Sequence, residues 1–70
     1  MTESVYKVVE IIGTSSESWE KAVANAVATA GETIRDLRVA EVAELDVTIE
    51  NGKLSQYRAK VKLSFKYERE

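Results

Sequence analysis

From Val39 to Tyr67 the chain alternates apolar and polar residues around one Asn51-Gly52 pair, and that stretch restricts the fold more than any other. Asn-Gly between two alternating runs is the strongest short signal for a two-residue hairpin turn, because both central residues take positive φ. Upstream of the turn, Val39, Ala43, Leu45, Val47 and Ile49 share one face, interrupted by Glu41, while Glu44, Asp46 and Thr48 share the other. Downstream, Tyr57, Ala59, Val61, Leu63, Phe65 and Tyr67 alternate with Gln56, Arg58, Lys60, Lys62, Ser64 and Lys66. Pairing about the turn sets acids of one polar face near bases of its partner, which supports the hairpin. Strands of roughly twelve to fifteen residues far exceed the usual five or six.

The first half supplies two further elements. Val5 to Ile12 is rich in β-branched residues and ends at Gly13, which predicts a strand. Its apolar residues Val8, Val9, Ile11 and Ile12 fall on both faces, the pattern of a strand buried on both sides. Thr14, Ser15 and Ser16 provide side-chain oxygens for a helix start, and Glu17 and Glu20 place negative charge in its first turn. Trp19, Val23, Ala26, Val27, Ala30, Ile34 and Leu37 then step by three or four, the helical period, and predict a helix of roughly twenty residues. Ala22, Ala24, Ala26, Ala28 and Ala30 make that helix thin enough for a sheet to approach closely. Trp19 reads as a core or staple residue, Tyr57 and Tyr67 as cross-strand packing, and Gly31 as a close contact or a late kink.

The resulting class is α+β: a single domain over residues 1–70, ordered β-α-β-β, with a three-stranded antiparallel sheet wrapped around one helix. At about 3.3 Å per strand residue against 1.5 Å per helix residue, the sheet outreaches its helix. A chain of 70 residues builds only a small core, so the leftover apolar strand surface is expected to be covered by copies of the same chain.

Composition narrows the chemistry. With no cysteine and no histidine, the chain has no thiol chemistry, no disulfide and no neutral-pH imidazole base. Ten basic and twelve acidic residues leave a formal charge of −2, no footprint for nucleic acid. No apolar run approaches the roughly 20 residues that cross a bilayer, and the first residues lack the pattern of a signal peptide, so a cytoplasmic protein without a membrane partner is expected. A solitary Gly13 makes no phosphate loop, and Ser64 has no base to activate it, so an enzyme is the least favoured class. The carboxylates Glu10, Glu41, Glu44 and Asp46 are either salt-bridge partners or ligands for a hard cation such as calcium or magnesium. Glu41 stands out because it breaks an apolar face, where a charge should be paired or lie at a subunit junction.

Several runs together resemble the dodecins: Val5 to Ser15 (VYKVVEIIGTS), Ser18-Trp19-Glu20, the alanine-rich helix, Ala40-Glu41-Val42, and Val61-Lys62-Leu63-Ser64-Phe65. The resemblance spans nearly the whole chain and implies a β-α-β-β protomer in a hollow homododecamer closed by trimer contacts. Its best-known members store flavins, stacked in pairs at two-fold axes. In them a tryptophan precedes the Ala/Phe-Glu-Val motif and sandwiches the ring; the matching position here is Val39. A glutamine after the tyrosine of the last strand bonds the flavin edge; the matching position is Arg58. Where many flavin binders carry Arg-Gly in the second strand, this chain has Asp46-Val47. The departures fall at Val39, Asp46 and Arg58, and resemble the tryptophan-lacking, calcium-dodecin-like branch.

The expected function is a non-enzymatic dodecameric shell that binds or stores a small ligand or a divalent cation, with impaired flavin binding. Glu41, Glu44 and Asp46 are the candidate metal ligands, and Arg58 is the candidate for an anionic group. The alternatives are a flavin (FMN or riboflavin) store with a re-formed pocket and a purely structural assembly module.

Overall fold

The Asn51-Gly52 pair turns the chain as its residue types require, with φ of 53° and 74° at the two positions. The computed structural model describes residues 5–67, which form β1 (Tyr6–Ser15), α1 (Trp19–Gly31), β2 (Leu37–Glu50) and β3 (Lys53–Lys66). The sheet order is β1-β3-β2, antiparallel throughout, so α1 carries the chain across β3 and leaves β1 and β2 as the two edges.

β1 pairs with β3 from Tyr6↔Lys66 to Ser15↔Tyr57, and α1 lies over these two strands. From Thr48 to Gln56 the hairpin has, among the described residues, no third strand beside it and projects as an arm. Fourteen residues in each of β2 and β3 span about 46 Å, against about 20 Å for α1. The molecule accordingly measures 54 × 20 × 16 Å.

The core is thin because its helix side is alanine. Ala22, Ala26 and Ala30, one turn apart, pack on Ala59, Val61 and Leu63 of β3, with Val9, Ile11, Val23, Val27, Ile34 and Leu37 at the margin. Gly13, opposite Ala59, lets α1 seat this closely: a Cβ there would collide with the Ala22 carbonyl and lie 2.8 Å from the Ala26 Cβ.

Four sequence expectations change. The helix ends at Gly31, thirteen residues long, so Ile34 lies in the connection and Leu37 opens β2. Both still reach the core margin; their spacing reported burial, which a turn and a strand start satisfy as well as a helix does. The helix starts at Ser18, whose hydroxyl accepts from Lys21 N at 3.0 Å; Thr14 and Ser15 end β1, and Ser15 Oγ accepts from Glu17 N at 2.9 Å. A Cβ at Gly31 would meet nothing within 4 Å, so the close approach belongs to Gly13 instead. Finally, β2 is bulged at Arg38 and at Ala43, where the register skips a residue. Each bulge reverses the side-chain alternation. Val39 therefore lies opposite Ser64, away from the helix, and Ala40 and Val42 join Leu45 and Val47 on the helix side.

The same bulge resolves the anomaly at Glu41. It stands opposite Lys62 on the face away from the helix and interrupts no apolar surface. Val8 and Ile12 of β1 are on that outer face and stay exposed, so among the described residues the two-sided apolar pattern of β1 is covered on its helix side alone. Among the described residues no helix is long and apolar enough to cross a membrane.

Candidate functional site

All the residues singled out for ligand or cation binding share the outer face of the sheet. The bulge at Ala43 is the reason, because it keeps Glu41 and Glu44, three residues apart, on one side with Asp46. Each acid of β2 stands opposite a base of β3: Glu41 with Lys62, Glu44 with Lys60, and Asp46 with Arg58. The Lys60 ammonium lies 3.3 Å from Glu44 Oε1. Arg58 donates from Nε to Asp46 Oδ1 at 2.7 Å and from Nη2 to Oδ2 at 2.8 Å, a two-pronged pair that occupies both carboxylate oxygens.

The Asp46–Arg58 pair is also tied to the helix side. The Trp19 indole N–H donates to the Asp46 carbonyl at 3.0 Å, and its ring meets Tyr57 edge-on with centroids 5.0 Å apart at 73°. The sequence gives Trp19 a core or a staple role, and the second of these is what the contacts with Asp46 and Tyr57 amount to. Trp19 is 39% exposed, above the root of the arm, and the buried helix stripe is Ala22, Ala26 and Ala30. Its position in the first helical turn could have signalled this role, since the register that brings Tyr57 beneath it follows from the Asn-Gly turn.

Hydrogen bonding from Arg58 holds the Asp46 carboxyl below the usual aspartate range, against a smaller desolvation effect, with the charges of Arg58 and Lys60 adding to the depression. The reciprocal bond raises Arg58 further above its ordinary value. At neutral pH the pair is fully ionised.

Val39 stands apart from this pair. It forms a cross-strand row with Ser64 and Val8, six β3 positions from Arg58, which is about 20 Å of strand. Asp46 and Arg58 are thus brought together, and Val39 is not brought to them within one chain. For a cation the chain alone is a poor cage. Asp46 is engaged by Arg58, Glu44 by Lys60, and no group of three acidic side chains converges among the described residues. A hard cation takes six to eight oxygen ligands.

The arrangement of a long hairpin, an alanine-lined helix and Gly13 at their contact has known counterparts. The family model described as Dodecin matches residues 5–68. The chain belongs to the dodecin family. It is 49% identical over 63 residues to the calcium dodecin of Mycobacterium tuberculosis, covering 90% of this chain and 89% of that one. It is 39% identical over 64 residues to a dodecin of Thermus thermophilus, covering 91% and 93%. The dodecin of Streptomyces coelicolor superposes with a TM-score of 0.92 at 36% identity over the full length of both chains. The crystal structure of the Mycobacterium calcium dodecin, described as calcium-chelating with a novel calcium-binding site, superposes with a TM-score of 0.82 at 50% identity over 93% of each chain. The β-α-β-β dodecin fold is therefore established for this chain.

Proposed function

We propose that the chain assembles into a non-enzymatic homododecameric shell that binds or stores a small ligand or a divalent cation, and that it binds flavin weakly or not at all. The observation that carries the flavin part is Val39, an aliphatic residue 56% exposed on the outer face, at the position where the flavin-storing dodecins hold a stacking tryptophan. Stacking on an aromatic ring is worth about 1–3 kcal/mol per base in nucleic-acid complexes, and a paired flavin would forgo it twice.

The geometry supports a ligand site completed between copies. Val39 is about 20 Å from Arg58 in one chain, so a pocket using both draws them from different copies. A calcium site on the acidic row of Glu41, Glu44 and Asp46 likewise needs oxygens from a neighbour, or release of Lys60 from Glu44. The name of the Mycobacterium relative makes calcium the first cation to try.

Titration calorimetry on chelator-stripped protein tests each part. FMN is expected to give no binding heat at micromolar concentrations, and micromolar binding sinks the flavin-negative reading. Calcium is expected to bind to the assembled protein, with the heat lost in Glu44→Gln. Val39→Trp is expected to raise FMN affinity by about tenfold or more, the equivalent of one 1.4 kcal/mol step.

A further inference from the structure

The chain has two asparagines, Asn25 and Asn51, and the fold puts them in opposite settings. Asn25 lies inside α1 with Ala26 after it, and its carboxamide donates to the Thr14 carbonyl at 3.0 Å. The Ala26 N–H is held by the helix, bonded to the carbonyl four residues back. Asn51 stands exposed at the end of the arm with Gly52 after it. Among the described residues no hydrogen bond engages the Asn51 carboxamide, the Asn51 carbonyl or the Gly52 N–H. A Cβ at Gly52 would meet nothing within 4 Å, so its backbone is open on that side. Among the described residues, only the pairs Glu50↔Lys53, Ile49↔Leu54 and Thr48↔Gln56 hold this end before β1 joins the sheet at Ser15↔Tyr57.

We propose that Asn51 is a site of spontaneous covalent modification, at which the turn closes to a succinimide and reopens as aspartate or isoaspartate. The Gly52 nitrogen gives up its proton and attacks Asn51 Cγ. The Cγ–Nδ2 bond breaks, and the amide nitrogen leaves as ammonia with that proton. One water molecule then opens the ring, and no electrons are gained or lost. Water at Cγ leaves an ordinary aspartate; water at the backbone carbonyl leaves the chain running through Cγ, an isoaspartate with one extra backbone atom. Bringing the Gly52 nitrogen to Cγ requires the peptide between the two residues to rotate. That peptide has no hydrogen bond to lose, and glycine adds no side chain to obstruct rotation or attack. The φ of 53° at Asn51 suits I′ and II′ turns alike, so the hairpin tolerates the flip. The two products act differently on the arm. Asp-Gly is as good a I′ pair as Asn-Gly, so aspartate keeps the arm and turns a balanced tip, where Glu50 stands opposite Lys53, into an acidic one. Isoaspartate lengthens the loop that fixes the hairpin register, and the three arm pairs loosen.

The test incubates the full-length protein in warm, mildly alkaline buffer free of ammonia, beside a free peptide spanning residues 46–56, and follows both by mass spectrometry after digestion. A gain of one mass unit is expected in the segment holding Asn51 and not in the one holding Asn25, at a rate within several-fold of the peptide, with isoaspartate detected there by enzymatic methylation. A folded chain still unchanged when the peptide has been consumed shows that the turn protects Asn51 and overturns the proposal. Conversion at Asn25 ahead of Asn51 overturns it as well. Asn51→Asp, which keeps the turn, is expected to gain no mass and release no ammonia; a gain in that variant places the reaction elsewhere and refutes the assignment. The isoaspartate fraction, separated by chromatography, is expected to exchange its amide hydrogens over residues 48–56 faster than Asn51→Asp does, and equal protection refutes the effect on the arm.

Discussion

Gly13 decides how close the helix lies to the sheet, and it does so by sterics alone. Any Cβ at this position enters the backbone of α1 at Ala22 and crowds the Ala26 methyl. Gly13→Ala is therefore expected to lower unfolding free energy by about 1–3 kcal/mol, the usual cost of overpacking a dense contact, measurable by urea denaturation followed by Trp19 emission. Asp46 is the second decisive residue. Its carboxyl is depressed mainly by the Arg58 hydrogen bonds, so the pair's stabilisation is present in full above the ordinary aspartate value, about pH 4, and is lost as pH falls through the lowered folded value. Stability of Asp46→Asn is expected to fall less than wild type on acidification in that window, in acid titrations followed by circular dichroism. An identical acid profile in both would show that Arg58 leaves stability untouched, as exposed ion pairs often do.

At the scale of elements, the helix is set by its ends more than by its period. Ser18 caps the first turn through Lys21 N, and Ser18→Ala is expected to cost about 1 kcal/mol in the same urea titration, whereas Thr14→Ala, at the end of β1, should leave the helix start alone. The far end closes when the amides of Thr33 and Ile34 bond the Ala30 carbonyl at 3.1 and 2.9 Å, and Asp36 at φ 57° turns the chain into β2. β2 depends on its two bulges. Because a one-residue offset exchanges the two faces of a strand, Ala43 alone determines that Glu41 meets Lys62 and that Val42 faces the helix side.

The whole molecule is an elongated sheet with one short helix on half of its length. Val42 and Leu45 on the helix side and Val8 and Val39 on the outer side remain exposed in the isolated chain. Apolar surface of this kind marks an interface, and a buried core of six apolar residues among those described, four of them alanine, leaves little stability to the lone protomer. If assembly supplies the remainder, stability follows mass action. The thermal unfolding midpoint is expected to rise with protein concentration in calorimetric scans, and wild type is expected to sediment at the mass of a dodecamer. A concentration-independent midpoint in a protein that sediments as a monomer would remove the basis for assembly.

The sequence by itself determined the elements and their order. The Asn51-Gly52 turn, the alternation of β3 and the alanine period of the helix are local signals, each read within a few residues. It also carries Val39, Asp46 and Arg58 at the positions where the resemblance implies a departure from flavin-storing dodecins. Only the tertiary structure decided which residues share a face and a neighbourhood. The bulge at Ala43 carries no local residue signature, yet it moved Val39 and Glu41 across the sheet. The helix stopped at Gly31 although the apolar spacing ran on to Leu37, because spacing reports burial and not hydrogen bonding. Of the core and staple roles open to Trp19, the structure took the second, against Asp46 and Tyr57, because the alanine stripe and Gly13 bring the helix too close to the sheet for a large ring to fit between them.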